Sequence, residues 1–204
     1  MKTFLVTNPK GGSGKTTLAT NLAGYFAGRG KRVLLRDMDR QGSSSHWLAR
    51  RPTNLPEIFA PSKKLPEVDV TIIDSPAGLR GDKLSDAVKA ADWVIVPMQS
   101  SIFDIKATED FLEVLRAEKA VRKERTFVAM VGMRITSRTK AADKLEQYLA
   151  ASEFPVVGHL RNAQIYAHAA EEGKSIFDLS AYRAKKDIEQ WAQLLKWIKA
   201  EEKK

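Results

Sequence analysis

The sequence predicts an α/β fold, a single domain built on one doubly wound, mostly parallel sheet. Three observations carry this. Short apolar runs alternate with helical patterns along the whole chain. The runs are continuously apolar rather than alternating, as strands covered on both faces are. The first run passes into a glycine-rich turn that opens a helix, an arrangement that belongs to parallel sheets.

Taken in order, the first strand is expected over 3–7. Leu18, Leu22 and Phe26 then recur every four residues, which predicts a helix, and Gly30 stands just past it, where a left-handed residue closes a helix. A second strand is expected over 32–37. Residues 51–66, with Pro52, Pro56, Pro61 and Pro66, read as a long irregular surface segment. Strands follow over 70–74 and 93–97. Phe111, Val114 and Leu115 mark the apolar face of another helix, and two more strands are expected over 126–132 and 156–159. Ile188, Trp191, Leu194, Leu195 and Ile198 form one apolar face of a closing helix. No linker, repeat or low-complexity stretch divides the chain, so one domain over 1–204 is expected.

Composition removes several functional classes. The 204 residues contain no cysteine, which excludes disulfides, thiolate zinc sites and cysteine-ligated iron–sulfur clusters. A hydrophobic fraction of 43% argues against wholesale disorder. No run approaches the ~18–20 apolar residues of a membrane span, and residues 1–7 lack the pattern of a signal peptide. A soluble, cytoplasmic protein is expected.

The chemistry concentrates after the first strand, in Asn8-Pro9-Lys10-Gly11-Gly12-Ser13-Gly14-Lys15-Thr16-Thr17. Glycines let successive backbone N–H groups turn toward phosphate oxygens, and the helix that follows presents its N-terminal dipole to the same anion. Lys15 is placed to neutralise β- and γ-phosphates, and the Thr16 hydroxyl to ligate Mg²⁺. Pro9 stands where the strict G-x4-G-K-[ST] pattern has its first glycine, so the loop is a variant. Thr17 stands where a dinucleotide G-x-G-x-x-G turn would end, so it is not that motif either.

These residues, Lys10-Gly11-Gly12-x-Gly14-Lys15-Thr16-Thr17, resemble the deviant Walker A loop of ParA/MinD-type ATPases, a class of P-loop NTPase. Asp37-Met38-Asp39-Arg40-Gln41-Gly42 is similar to the family's D-x-D-P-Q-G segment, with Arg40 in place of proline. Ile72-Ile73-Asp74-Ser75-Pro76-Ala77-Gly78 looks like its Walker B strand. Val96-Pro97-Met98-Gln99-Ser100-Ser101-Ile102-Phe103-Asp104 and Gly173-Lys174-Ser175-Ile176-Phe177-Asp178 also follow it, so the resemblance runs through nearly the whole chain.

The resemblance implies ATP and Mg²⁺ as cofactors and slow, partner-stimulated hydrolysis. It implies that residues 11–17 (Gly11, Gly12, Ser13, Gly14, Lys15, Thr16, Thr17) hold the phosphates, and that Thr16, Asp37 and Asp74 hold the metal. Residues i and i+2 of a strand share a side, which would let Asp37 and Asp39 both face the nucleotide. Asp39 is the candidate for orienting the attacking water. Lys10 is the family's signature lysine, reaching across an ATP-bound homodimer to the partner's phosphates, so Lys10, Lys15 and Asp39 form the catalytic set. Met133-Arg134 and Leu160-Arg161-Asn162 fall where relatives contact the base.

The net charge of +9 makes polyanion affinity a physical expectation. Residues 116–144 carry nine basic side chains against three acidic, and 183–204 carry seven against four. Together with the resemblance this implies non-specific DNA binding, a nucleoid-associated location, and a ParB-like or cargo-adaptor partner. Candidate DNA contacts are Arg134, Arg138, Lys140, Arg183, Lys185, Lys186 and Lys196. Two other functions share related loops. A MinD-like membrane-positioning ATPase would need an amphipathic helix after the last domain helix, where 199–204 leave little room, so no stable membrane association is expected. An ATP-dependent ligase or synthase generally lacks a lysine at position 10 and would need a substrate-binding insertion.

Overall fold

The computed structural model of the chain describes residues 1–99, 102–135, 139, 148 and 152–201. Its strands are β1 (Lys2–Val6), β2 (Val33–Asp37), β3 (Ile58–Phe59), β4 (Val70–Asp74), β5 (Trp93–Met98), β6 (Phe127–Ile135) and β7 (Val156–Arg161). They form one sheet in the order β3-β2-β4-β1-β5-β6-β7, and every neighbouring pair is parallel. The helices are α1 (Lys15–Ala27), α2 (Ser43–Ala49), α3 (Asp82–Lys89), α4 (Ile102–Ala117), α5 (Lys119–Arg122), α6 (Gln164–Glu171), α7 (Ala181–Glu189) and α8 (Ala192–Glu201). A 3-10 turn, Ile176–Asp178, precedes α7.

The period of two in a strand decides which helix covers which face. Phe4, Val6, Ile72, Ile95, Ala129 and Val131 pack on one side with Leu18, Leu22 and Phe26 of α1, Trp47 of α2, and Leu194 and Ile198 of α8. Their neighbours Leu5, Ile73, Val94, Val96, Val128 and Met130 pack on the other side with α3, α4 and α5. Both faces are therefore apolar, which is why the strands read as unbroken apolar runs.

Four expectations change. Residues 51–66 are not wholly irregular, because Ile58 and Phe59 pair with Val33 and Leu34 as an edge strand too short to show a period. On α4 the core face is Phe111, Leu112 and Leu115, whereas Val114 is exposed. Strand β6 continues past Gly132 to Ile135, with register shifts against β7 that hide its end in the sequence. The closing apolar face is split between two helices, since α7 stops at Glu189 and Trp191 lies in the junction before α8. Gly30 does take a left-handed φ of 73°.

Topology fixes where a ligand can sit. From β1 the chain crosses to β2 on one side and later builds β5 and β6 on the other, so the strand order diverges at the centre of the sheet. In such sheets the crevice beyond the carboxyl ends of the strands at that point is the binding site. The ends of β1, β2 and β4 are in register there, with Val6 beside Asp74 and Asp74 beside Asp37.

Candidate functional site

The glycine loop is held from both ends. Asn8 is buried at the end of β1; its Nδ2 donates to the Pro97 carbonyl (2.8 Å) and to Thr108 Oγ1 (3.0 Å), and its Oδ1 accepts from Lys10 N (2.8 Å). Gly78 N donates to the Pro9 carbonyl (3.0 Å), and the Gln99 side chain donates to the Gly12 carbonyl. Gly14 caps α1 at φ 101°, a value that excludes ordinary side chains, and Leu18 N bonds back to its carbonyl (3.0 Å). The loop is thus rigid, with the N-terminus of α1 opening into it.

Inside the loop the Lys15 ammonium donates to the Lys10 carbonyl (2.8 Å) and lies 3.5 Å from Ser13 Oγ. Burial pulls its pKa below the ordinary 10.5, while the Asp74 and Asp39 carboxylates oppose that shift. A cation held against desolvation, with helix dipole and loop amides around it, is a strong receptor for polyphosphate.

Beside it lies an acidic corner. Thr16 Oγ1 donates to Asp74 Oδ2 (2.8 Å), and Asp74 is 2% exposed. Burial raises the Asp74 pKa to about 6; the Thr16 hydrogen bond opposes this, and the Asp37 charge adds to it. Asp74 Oδ1 and the Ser44 hydroxyl are buried without a hydrogen-bond partner among the described residues, although Ser44 is near enough to temper the Asp74 charge. A buried carboxylate with an orphaned oxygen and two hydroxyls beside it suits a hydrated divalent cation, since oxygen donors and retained water are what Mg²⁺ takes. Thr16 and Asp74 could hold such an ion, which would neutralise phosphate charge there.

The second acidic segment is built differently from the strand alternation expected for it. Strand β2 ends at Asp37, so Asp39 lies beyond it. The Asp37 carboxylate turns to the backbone, accepting Asp39 N (3.0 Å) and Ser45 N (2.9 Å), and so holds the first turn of α2. Asp39 Oδ1 accepts Gln41 N (3.0 Å), and Asp39 lines the loop cavity with Gln41, Ser43, Ser75 and Ala77. Turn geometry, not strand period, places Asp39 at the phosphate loop.

Two cavities, of about 280 and 360 Å³, share Thr17 and Arg134. The first is the glycine loop. The second is walled by Met133, Arg134, Leu160, Arg161, Asn162 and Tyr166, a space of the size and mixed polarity that a heterocyclic base requires. Met133 closes on the loop so tightly that a Cβ on Gly14 would meet its Cε at 2.8 Å. Arg134 adopts φ 52°, a strained value for a non-glycine residue, at the point where both cavities meet.

The structure therefore brings together residues 10–17, Asp37, Asp39, Asp74, Met133 and Arg134. Arg134 lines both cavities, which separates it from the other candidate DNA contacts. Arg183, Lys185, Lys186 and Lys196 are exposed on α7 and α8, while Arg138 and Lys140 lie outside the described residues. Sequence reasoning gave no role to Asn8, Ser44 or Thr108. Asn8 had a local signal in its place at the strand end, whereas Thr108 acts across 100 residues and had none.

A lysine-bearing glycine loop at a helix N-terminus, beyond the carboxyl ends of a parallel sheet, defines a P-loop nucleotide-binding protein. Residues 4–176 match the CbiA family, the CobQ/CobB/MinD/ParA nucleotide binding domain, and the chain belongs to that family. It is similar to the maintenance of carboxysome distribution protein A of Halothiobacillus neapolitanus, at 27% identity over 88% of each chain. It is also similar to the chromosome-partitioning ATPase Soj of Thermus thermophilus, at 28% identity over 74% of this chain and 76% of the relative. In fold it resembles McdA of Cyanothece in an ATP complex, with a TM-score of 0.73 and 19% identity over 93% of this chain and 94% of the other.

Proposed function

We propose that this chain is an ATPase that dimerises on ATP, binds DNA without sequence preference, and positions or segregates a cargo over the nucleoid. The observation that carries this reading is the fixed backbone of Lys10. Its amide is tied to the buried Asn8 and its carbonyl receives Lys15, so the backbone at position 10 is fixed directly against the lysine of the glycine loop. Phosphoryl transfer to water depends on positioning and charge neutralisation rather than covalent help. In this reading Lys15 holds the phosphate charge, Thr16 and Asp74 would hold Mg²⁺ with the Asp37 charge beside them, Asp39 orients the water, and Met133 and Arg134 flank the base. Lys10 of each subunit serves the partner's nucleotide, which makes turnover depend on the dimer.

The exposed basic side chains of α7 supply a DNA surface, and Arg183, Lys185 and Lys186 line neither of the two cavities. The names of the relatives, which concern carboxysome distribution and chromosome partitioning, support a positioning role; such a role requires an adaptor that links the cargo to the ATPase and, in this reading, stimulates hydrolysis. Membrane positioning is less well supported. Trp191, Leu194 and Ile198, the apolar face that an interfacial helix would turn to lipid, are buried in the core.

Light scattering coupled to size exclusion tests the core of the reading. The Asp39→Ala variant is expected to bind ATP, hydrolyse it at under about a hundredth of the normal rate and accumulate as a dimer. Lys10→Ala is expected to bind ATP without turnover, and mixing the two variants is expected to restore partial activity. An Asp39→Ala protein that stays monomeric with ATP, or turns over normally, contradicts the proposal.

A further inference from the structure

Helix α7 has two sides with different chemistry. Outward it presents Arg183, Lys185 and Lys186; inward it carries one buried carboxylate, Asp187, 1% exposed. Both Asp187 oxygens are taken by a single guanidinium, with Arg161 Nε to Oδ1 at 2.7 Å and Nη2 to Oδ2 at 3.0 Å. Gln190, just past the helix, accepts the Arg161 backbone N–H through Oε1 (2.9 Å). Trp191 Nε1 donates to the Tyr166 hydroxyl (3.0 Å). Residues 187–191 thus make three separate attachments, and all of them end on residues that wall the cavity beside the phosphate loop. The same wall is joined to β6 next to Arg134, because Asn162 N donates to the Ile135 carbonyl (3.1 Å).

Burying a carboxylate is costly unless it is paired with good geometry, and a bidentate guanidinium fixes angle as well as distance. This pair therefore sets the position of Arg161 rather than merely adding cohesion. We propose that Asp187 and Gln190 are positioning residues for the nucleotide base, acting through Arg161, and that these bonds couple an occupied base cavity to the basic helix α7. The inference rests on the nucleotide reading above and adds to it a route from base to polyanion surface. Coupling of this kind is reciprocal: whatever orders α7 tightens the base cavity, and the converse holds equally.

The test compares ATP with tripolyphosphate, which carries the phosphates without the base. By calorimetry with Mg²⁺ present, the unmodified protein is expected to bind ATP more tightly than tripolyphosphate. Asp187→Asn is expected to weaken ATP about tenfold, roughly the worth of one charge-assisted hydrogen bond, and to leave tripolyphosphate unchanged. Arg161→Lys, which keeps charge but loses the fork, is expected to behave likewise. Hydrogen exchange supplies the second readout. ATP is expected to slow exchange over 181–190 and tripolyphosphate is not, and in Asp187→Asn neither does so. Gln190→Ala leaves the ion pair intact and is expected to weaken ATP alone by a few-fold, so the test survives if Asp187→Asn fails to fold. An equal loss of both ligands marks Asp187 as a plain staple and overturns the proposal. So does ATP protection confined to the phosphate loop. If the unmodified protein binds neither ligand, the nucleotide reading fails and takes this inference with it.

Discussion

Asp74 is where burial and charge oppose each other most directly. Its carboxylate sits at a strand end, 2% exposed, with one oxygen bonded to Thr16 and the other unpartnered among the described residues, and its pKa rises to about 6. A raised carboxyl pKa means that the folded state holds a proton the unfolded chain has released. The resulting stabilisation is complete below the ordinary carboxylate value of 3.8 and is lost as pH climbs through about 6. The metal-free protein should therefore be less stable at pH 7.5 than a version with a neutral side chain there. Asp74→Asn is expected to gain on the order of 2 kcal/mol at pH 7.5 without nucleotide, with the difference vanishing toward pH 4. Urea unfolding at the two pH values checks it. The same variant is expected to lose the Mg²⁺ dependence of ATP binding. A variant less stable than its parent at pH 7.5 would show that the Asp74 charge is already compensated in the free protein.

At the scale of elements, the turn over 173–178 acts as a brace. Ser175 and Asp178 cap one another, Ile176 N donates to Asn21 of α1 (2.8 Å), and Trp47 of α2 donates to the Lys174 carbonyl (3.1 Å). Ser175 lies so close to Gly24 that a Cβ on α1 at that point would collide with it. Arg51 completes the joint, bonding both Asp178 oxygens at 3.0 Å with both side chains almost fully buried. Removing one partner of such a pair strands the other charge, so Asp178→Ala is expected to cost about 3–5 kcal/mol in urea unfolding. The double variant Arg51→Met, Asp178→Ala is expected to recover part of that loss, and strict additivity would show that the pair is not coupled.

This joint also shows what the sequence could not supply. The glycine loop, the succession of apolar runs and the acids at strand ends are local signals, and they led to a parallel sheet and to the phosphate site. Arg51 and Asp178 meet across 127 residues, and Asn8 meets Thr108 across 100. No periodicity carries such pairings. Arg51 reads as the start of a proline-rich loop, and Asp178 as part of a motif without an assigned task. The two-residue strand β3 and the break after α7 were hidden for a related reason: each is shorter than the period that would announce it.

For the whole molecule, the question is how a net charge of +9 is deployed. Arg134 and Lys15 line the cavity of the glycine loop. Arg161 is held by Asp187, and Arg51 by Asp178. On α7 the pattern is different, because Lys185 and Lys186 are exposed next to each other and the Asp187 carboxylate behind them is engaged by Arg161. Dimerisation would bring two such helices into one assembly and raise the number of phosphates that can be neutralised together. DNA affinity should therefore require ATP, ignore sequence, and fall steeply with salt, each contact adding about −0.9 to the slope of log K against log salt. Reversing both charges, Lys185→Glu with Lys186→Glu, is expected to abolish retardation of duplex DNA at low salt with an unchanged thermal midpoint. The milder Lys185→Ala should weaken all sequences alike and flatten the slope by roughly one unit per lost contact. A double reversal that binds DNA with the original affinity and slope removes α7 from the contact surface. A parent protein that shows no ATP-dependent DNA binding at low salt removes the nucleoid from the proposed function, and sedimentation with anionic liposomes then becomes the deciding measurement.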